Sequence, residues 1–345
     1  MKLRYLLPLA GVLCTFLTAH AQPSPARQAF YEGACRISPR TMLCYETPLA
    51  PLAAYLREYI NVETASDSMS ADDAIVLSTD PTLGGEAFRL TVLPQRIEIA
   101  GGSYGGVFNG VQALFRLLPA EIYAKNCPLP VEIACTKVED APRFPYRGMM
   151  LDVARTWIDA AGVKRYIDLL SYHGINKLHL HLSDDEGWRI EILSHPELTE
   201  IGGFRGGDSP VRPVYGKWSE KYGGYFKQSE MRELIRYAAL RNIEIIPEID
   251  LPGHSRNIAS VHPEIRCNYP PDTVSTNGYD YRSTWCVARE ENYALLGDIL
   301  GELCELFPSE YIHVGGDEVD MSQWERCPDC RALMKREGMT DPHRL

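Results

Sequence analysis

Two adjacent carboxylates, Asp317 and Glu318, follow a strand-like run at 311–314 and two glycines. Glycines let the backbone turn and let a ligand approach closely, and neighbouring side chains that leave a strand point to different sides. One acid can therefore hold charge while the other moves a proton on the same substrate. An isolated Asp-Glu pair more often begins a helix, because acids suit the first helical turn. The rest of the sequence favours chemistry here.

Three earlier strand-like runs also end in polar side chains. Asp152 and Arg155 close the first, and Glu248 and Asp250 share one side of the third, which continues to His254. The second run, 177–185, alternates strictly and places one set of side chains on its polar face: His179, His181, Ser183 and Asp185. Functional side chains at several strand ends are typical of an active site built on one edge of a parallel sheet.

Helical patterns separate these runs, at roughly 160–173, 229–241 (with Ser229 as N-cap) and 292–306. Strands that alternate with helices predict an α/β protein with a (β/α)8 TIM-type barrel, whose active site lies at the carboxyl ends of the strands.

A smaller α+β domain precedes this barrel. It is predicted over residues 22–141, with strands at about 74–78, 87–93 and 96–100 and a helix near 104–117. The segment 140–145 contains two prolines and reads as the joint between the domains. The catalytic barrel domain then covers residues 142–345.

Four motifs, taken together, carry a resemblance to a known family. They are Asp-Val-Ala-Arg155, His-Leu-Ser-Asp-Asp-Glu-Gly-Trp188, Pro-Glu-Ile-Asp-Leu-Pro-Gly-His254 and His-Val-Gly-Gly-Asp-Glu318. In this order they resemble the signatures of the β-N-acetylhexosaminidases of glycoside hydrolase family 20, and residues 87–114 are similar to the small domain that precedes the barrel there. The resemblance implies an exo-acting enzyme that removes terminal β-linked N-acetylglucosamine or N-acetylgalactosamine from glycans.

The resemblance also implies a retaining, substrate-assisted mechanism in which the 2-acetamido group of the sugar is the nucleophile. Glu318 would be the general acid and base, and Asp317 would orient the acetamido N–H. Arg155 would bind sugar hydroxyls, and Asp185 with His254 would hydrogen-bond towards the acid. Asp250 would hold the loop, with Glu248 and His313 as supporting residues.

Several alternatives stay open. Side-chain alternation favours Asp185 over Asp184 as the pocket-facing acid, and Glu318 should be buried or lie beside an anion to keep its proton. For Arg155, a structural salt bridge is the alternative to binding sugar hydroxyls.

The pair His179 and His181 could begin a metal site, but histidines bonded to neighbouring side chains are favoured. Neither a metal nor a cofactor is expected. Three tryptophans could stack on sugar, although packing is the default: Trp188, Trp218 and Trp285.

Four strand–helix units can be counted before Leu345, whereas an eight-unit barrel needs about 250 residues. The sequence therefore predicts the N-terminal half of a barrel, with an open sheet edge and exposed apolar surface. A catalytically inactive fragment or a carbohydrate-binding chain is the alternative function.

The net charge of −11 and the lack of a basic stripe argue against nucleic acid as a partner. Residues 1–21 have a basic start, an apolar centre and Ala-His-Ala21, which predicts a signal peptide and an exported protein, periplasmic or extracellular. No later run is apolar enough to predict a membrane span, and the oligomeric state is not predicted.

An exported protein favours disulfides, and nine cysteines follow the predicted leader. Cys35 with Cys44, and Cys127 with Cys135, are plausible local pairs, and the family resemblance implies a bond between Cys267 and Cys286. Because nine is an odd number, at least one thiol should stay free, and a buried free thiol is expected at Cys304 within an apolar helix. For Cys327 and Cys330 a disulfide or a packed pair is favoured over zinc, because no second Cys-x-x-Cys is present.

Overall fold

A computed structural model of the chain describes residues 25–66, 72–269 and 282–345. The predicted signal peptide lies outside the described residues. The strands form a seven-stranded mixed sheet from residues 27–140 and a three-stranded parallel sheet from residues 148–248. Each sheet has its own cluster of buried apolar side chains.

The seven-stranded sheet has the order β1-β7-β5-β6-β4-β2-β3. Its strands are β1 (Arg27–Ile37), β2 (Met42–Tyr45), β3 (Glu63–Ser66), β4 (Ala74–Thr79), β5 (Phe88–Leu93), β6 (Arg96–Gly101) and β7 (Val131–Asp140), accompanied by helices α1 (Ala50–Arg57) and α2 (Tyr104–Phe115). Strands β5 and β6 form an antiparallel hairpin, whereas β6, β4, β2 and β3 run parallel. Ser103 is the N-cap of helix α2, and its side chain accepts the Gly106 N–H. Almost all residues of α2 are buried, and its apolar side chains belong to the same core as those of the sheet.

The remaining strands are β8 (Gly148–Asp152), β9 (Lys177–His181), β10 (Ser183–Asp184), β11 (Gly187–Trp188), β12 (Phe204–Arg205), β13 (Tyr222–Gly223) and β14 (Glu244–Glu248). The helices are α3 (Ala160–Tyr172), α4 (Glu197–Glu200), α5 (Gln228–Ala239), α6 (Arg256–Val261), α7 (Glu290–Leu306), α8 (Ser322–Arg326) and α9 (Pro328–Arg336). Strands β8, β9 and β14 pair in parallel, in the order β14-β9-β8, and the β8–α3–β9 and β9–α5–β14 connections are barrel-type strand–helix–strand units.

The fourth predicted strand is reduced to one bridge, between Glu248 and His313. The His313 N–H donates to the Pro247 carbonyl, but Pro247 has no N–H with which to extend the pairing upstream. Downstream, Gly315 and Gly316 adopt positive φ and leave the extended conformation. The prediction of a regular strand here was therefore wrong.

The parallel sheet does not close into a barrel among the residues that the structure describes. Strand β8 is paired on one side, and Met149 and Met150 in it are 52% and 48% exposed. At the other end, Tyr311 and Val314 are also exposed. The predicted open edge with exposed apolar side chains is thus present.

None of the helices in the described residues is long and apolar enough to cross a membrane.

Contacts between polar side chains join the two units. Glu86, from the loop before β5, forms an ion pair with Arg147 at 2.7 Å and accepts hydrogen bonds from Asn176 and Asn242. Arg241, just after α5, is buried, and its guanidinium lies 3.7 Å from the carboxylate of Glu58, which follows α1 in the small domain. These contacts fix the approach of the small domain to the helical side of the parallel sheet.

The nine described cysteines are free thiols, so the predicted disulfides are absent from this part of the chain. Cys304 is exposed on α7 instead of buried, because it lies away from the helix face that carries Leu295, Ile299 and Leu303. Cys267 and Cys286 do lie close to each other, but together with Cys327 and Cys330.

Arg189 is the most unusual group among the buried side chains around the parallel sheet, since it is fully buried and none of the described carboxylates lies at hydrogen-bond distance from it. Its guanidinium donates to four backbone carbonyls, those of Val153, Ala154, Gly203 and Gly224. Burial lowers the pKa of Arg189 to about 10, which still leaves it charged at neutral pH. This side chain connects the loop after β8 to the β12–β13 hairpin.

Arg189→Met should therefore destabilise the protein by about 3 kcal/mol or more, because several buried carbonyls lose their donor together. The measurement is urea unfolding followed by circular dichroism. Arg165→Met, on the exposed surface of α3, is the control and should change stability by less than about 0.5 kcal/mol. Equal effects of the two substitutions would contradict the role given to Arg189.

Candidate active site

A cleft of about 380 Å³ lies where the carboxyl ends of β8, β9 and β14 meet. Its walls are polar and come from the segments that follow these strands: Arg155, Asp184, Asp185, Glu186, Val214, Tyr215, Gly253, His254, Arg256, Ser283, Thr284, Glu318, Asp320 and Gln323. The cleft thus brings Arg155, Asp185, His254 and Glu318 together, as the sequence predicts. A concave site with convergent charged groups is the usual form of a small-ligand site.

Asp184 is the charged centre of this cleft, with 1% of its side chain exposed. It binds Arg155 at 2.7 Å and His181 at 2.9 Å, and its second oxygen lies 3.4 Å from Nδ1 of His254. Although burial opposes it, these partners hold the pKa of Asp184 far below its usual range. Asp184 is therefore an anion that ties together the segments after β8, β9 and β14.

Asp185 faces the cleft, as does Asp184, but the expected pairing of Asp185 with His254 is wrong, because the imidazole contacts Asp184. Strand β9 ends at His181, and the short strand β10 pairs with β11 through a turn at residues 185–186, so side-chain alternation does not continue to Asp185. Asp185 lines the cleft but accepts the Arg256 N–H at 3.0 Å, with the Arg256 guanidinium 3.4 Å away. It positions the loop after His254, whereas Asp184 contacts the imidazole.

The salt-bridge interpretation of Arg155 is confirmed, and its predicted contact with sugar hydroxyls stays a prediction. Its guanidinium lines the cleft and also forms salt bridges to Asp184 and to Asp152, at 2.7 and 3.0 Å. About a third of the side chain, 35%, stays exposed. A guanidinium has five N–H donors, so two carboxylate partners leave donors that can reach a ligand.

Glu248 is surrounded by three histidines. His181 Nδ1 lies 2.5 Å from its carboxylate, His179 Nε2 2.8 Å and His313 Nδ1 2.9 Å. Although burial opposes it, the hydrogen bonds to Asp184 and Glu248 raise the pKa of His181 to about 10. The His-x-His pair of β9 therefore lies in a network of carboxylates, with His181 as the cation between Asp184 and Glu248.

The acid loop, residues 314–318, is held by Asp250. Asp250 Oδ1 accepts the Gly316 N–H at 3.2 Å, and a Cβ on Gly315 (φ +65°) would lie 1.7 Å from the same oxygen. Glycine is thus required at 315, both for its backbone conformation and for this close approach. Burial raises the pKa of Asp250 to about 6.

His254 links Asp184 to the acid loop. Its Nε2 is buried without an aligned hydrogen bond and lies 3.4 Å from Glu318 Oε2 and 3.7 Å from Asp317 Oδ2. The hydrogen bond with Asp184 raises the pKa of His254 to about 9. His254 is therefore an imidazolium at neutral pH and presents an N–H to the two acids.

The two acids themselves are open to solvent, with 65% of the Asp317 side chain and 80% of the Glu318 side chain exposed. Burial, one of the two ways in which Glu318 was expected to keep its proton, is therefore not found among the described residues, and the other way, a neighbouring anion, stays a prediction. His254 Nε2 lies beside both carboxylates.

Two tryptophans considered as sugar platforms belong to the core instead. Trp188 and Trp285 are buried, and their indole N–H groups donate to the Ile190 carbonyl and to Ser255 Oγ. Trp218 is 39% exposed and does not line the cleft. Packing, the default interpretation, is correct for the first two.

Glu186 and Arg256 are cleft residues that the sequence interpretation missed. Glu186 is buried, binds Arg205 at 2.8 Å and accepts the Val214 and Tyr215 N–H groups. It thereby places Tyr215 in the wall of the cleft, some thirty positions away in the chain. The sequence signal for Glu186 was its place in the Asp-Asp-Glu motif, directly after Asp184 and Asp185.

Comparison with known proteins agrees with a parallel α/β domain that carries a carboxylate-rich cleft. The family model described as glycosyl hydrolase family 20, catalytic domain, matches residues 144–345, and the model of domain 2 of that family matches residues 21–141. The chain belongs to glycosyl hydrolase family 20.

A β-hexosaminidase of Vibrio furnissii is 42% identical over 280 residues, which are 81% of this chain and 44% of that protein. A β-hexosaminidase of Porphyromonas gingivalis is 30% identical over 337 residues, covering 94% of this chain and 42% of that protein. The crystal structure of a family 20 exo-β-N-acetylglucosaminidase from Vibrio harveyi, in complex with N-acetylglucosamine, superimposes with a TM-score of 0.83 at 36% identity and covers 94% of this chain and 50% of the other. The chain spans about half the length of these relatives.

Asp184→Asn should lower the pKa of His254 from about 9 towards the unperturbed value of about 6.5, because the anionic partner of Nδ1 is removed. Because the pKa of His254 is raised in the folded protein, the Asp184–His254 pair stabilises the fold fully below about pH 6.5, and this stabilisation is lost as the pH rises through about 9. NMR titration of the histidine Cε1 protons measures the pKa, with His254→Gln to assign the signal.

Asp185→Asn is the matched control, since Asp185 bonds to Arg256 and not to the imidazole. A larger drop in the His254 pKa with Asp185→Asn than with Asp184→Asn would restore the original assignment.

Proposed function

We propose that the protein is an exo-acting β-N-acetylhexosaminidase that releases terminal β-linked N-acetylglucosamine or N-acetylgalactosamine with retained configuration. The observation that carries this proposal is the position of Asp317 and Glu318 beside the His254 imidazolium, at the strand ends of a family 20 chain. Relatives named β-hexosaminidase, over most of the length of this chain, support the same class of substrate.

Glu318 is the general acid in this proposal. It donates a proton to the glycosidic oxygen as the bond to C1 breaks, and as the conjugate base it later takes a proton from the attacking water. The His254 Nε2–H, 3.4 Å from Glu318 Oε2, positions the carboxyl and stabilises its anionic form between the two steps. Asp184 keeps His254 oriented and charged.

The sugar supplies the nucleophile. Its 2-acetamido oxygen attacks C1, which forms a cyclic oxazolinium intermediate, so the protein needs no covalent nucleophile. Asp317 accepts a hydrogen bond from the acetamido N–H and stabilises the positive charge that develops on the nitrogen. The Arg155 donors that Asp152 and Asp184 leave free bind sugar hydroxyls at the non-reducing end.

A non-catalytic, carbohydrate-binding chain is the second candidate. The exposure of Asp317 and Glu318 favours it, because a general acid works best where water is excluded. Hydrolysis of an aryl β-N-acetylglucosaminide by the folded full-length protein separates the candidates: turnover supports the enzyme, and binding of N-acetylglucosamine without turnover supports the binding chain.

Export to the periplasm or the extracellular space is part of the proposal. Its support is the basic start, apolar centre and Ala-His-Ala21 end of residues 1–21, together with a family match that begins at residue 21. N-terminal sequencing of the mature protein should begin at Gln22.

Glu318→Gln in the full-length protein should lower kcat on natural β-linked glycans by about a hundredfold or more, and less on aryl substrates with acidic phenol leaving groups, which need little protonation. Steady-state kinetics on a glycan and on a nitrophenyl substrate test this. Glu325→Gln, exposed on α8, is the matched control. Equal losses on the two substrates would remove Glu318 from the acid role.

An aryl β-glucoside, which has a 2-hydroxyl in place of the acetamido group, should react several orders of magnitude more slowly than the aryl β-N-acetylglucosaminide. The reason is the large effective molarity of an intramolecular nucleophile. The measurement compares kcat/KM for the two sugars with the same leaving group, and similar values would indicate a nucleophile on the protein.

A further inference from the structure

Four buried cysteines from three separate chain segments meet behind the acid loop. Cys267 lies after α6, Cys286 lies before α7, and Cys327 and Cys330 begin α9. Their four sulfur atoms all lie within 4.8 Å of one another. The glycosidase mechanism uses none of them.

The spacing of the sulfur atoms is that of ligands around one metal ion. The Sγ–Sγ distances are 3.9 Å for Cys267–Cys330, 3.6 Å for Cys286–Cys330 and 3.8 Å for Cys286–Cys327. A tetrahedral zinc with Zn–S bonds of about 2.3 Å requires edges of about 3.8 Å. A disulfide would require a sulfur pair at about 2.05 Å.

The surroundings suit thiolates that are shielded from water. Cys327 is the N-cap residue of the nine-residue helix α9, whose positive end favours anionic sulfur. The backbone of Ala288 hydrogen-bonds to the Cys286 sulfur. Apolar side chains enclose the group, chiefly Trp324, Val319 and Met321.

We propose that Cys267, Cys286, Cys327 and Cys330 bind one structural zinc ion. Four protein ligands fill the tetrahedral coordination, so the metal has no open position for substrate. On binding, each thiol loses its proton to solvent and each sulfur forms one Zn–S bond, and no electron is transferred. The Cys-x-x-Cys at 327–330 is half of the site, and the other half comes from residues that are distant in sequence.

The site holds the segment that carries the acids. Val319, directly after Glu318, packs against the cysteine group. The Trp324 indole N–H donates to the Trp285 carbonyl at 2.9 Å, and Gln323 Oε1 accepts the Ser283 and Thr284 N–H groups, both at 3.2 Å. Through these contacts a bound ion would fix α8 and the cleft wall relative to the acid loop.

Metal analysis of the full-length protein, purified without chelators, should find about one zinc per chain. Thiol titration of the unfolded protein without reductant should find these four cysteines reduced, and mass spectrometry should show no mass gain on reduction. Cobalt added to the metal-free protein should give the charge-transfer bands and intense visible bands of tetrahedral thiolate ligation. Two disulfides among these cysteines, or zinc far below one per chain with the thiols reduced, would overturn the proposal.

Cys330→Ser removes one ligand and should weaken zinc binding by about a hundredfold or more, since even loss of a group that only orients a ligand costs tenfold to a hundredfold. Cys304→Ser, which changes the exposed thiol of α7, is the matched control and should keep full metal content. If Cys330→Ser fails to fold, the cobalt spectrum of the unsubstituted protein still decides the matter. Equal zinc affinity of both variants would contradict the site.

Discussion

A buried carboxylate, that of Asp184, determines how the rest of the site is arranged. An anion that is 1% exposed is tolerated because Arg155, His181 and His254 surround it. These partners follow or belong to three different strands, so the charge balance holds the strand ends in register. Such a network adds little net stability over apolar packing, but loss of one member leaves an unpaired buried charge, at a cost of about 3–5 kcal/mol. The network specifies geometry more than it stabilises the fold.

The acid loop depends on two supports on either side of its backbone. Asp250 and Gly315 meet so closely that any side chain at 315 would displace the loop. Behind the loop, Val319 packs on the cysteine group, which ties α8 and α9 to the start of α7. The backbone of the acids is therefore fixed while their side chains stay open to solvent. In the proposed enzyme, the bound sugar itself would cover them.

Elements with one clearly apolar face could be predicted from the sequence, and others could not. The strands β4, β5 and β6 and the helix α3 fell within two residues of their predicted bounds. Burial on one side sets the alternation of β5 and β6 and the helical period of α3, and β4 is a short run of buried apolar residues. Strand β1 was missed since it is exposed along most of its length and shows no such pattern. The pairing of β1 with β7 is a long-range contact that local pattern does not record. Four of the residues that line the cleft were predicted because each follows the end of a strand, where position alone predicts proximity: Arg155, Asp185, His254 and Glu318.

The errors at the site have one physical origin, which is that chain direction changes within a motif. The alternation rule would hold for Asp185 if the strand ran straight through it, but the chain turns at residues 185–186, so that Asp184 contacts His254 and Asp185 binds Arg256. Likewise Cys267 and Cys286, which precede α7, face Cys327 and Cys330 of α9 although the whole of α7 separates the two pairs in sequence. Spacing in sequence predicts contacts along one strand or one helical turn. Ligand sets and charge networks that are assembled from several segments can be predicted only when the three-dimensional path of the chain is known. The contacts of His254 with Asp184 and the two acids are of this kind, and so is the proposed zinc site.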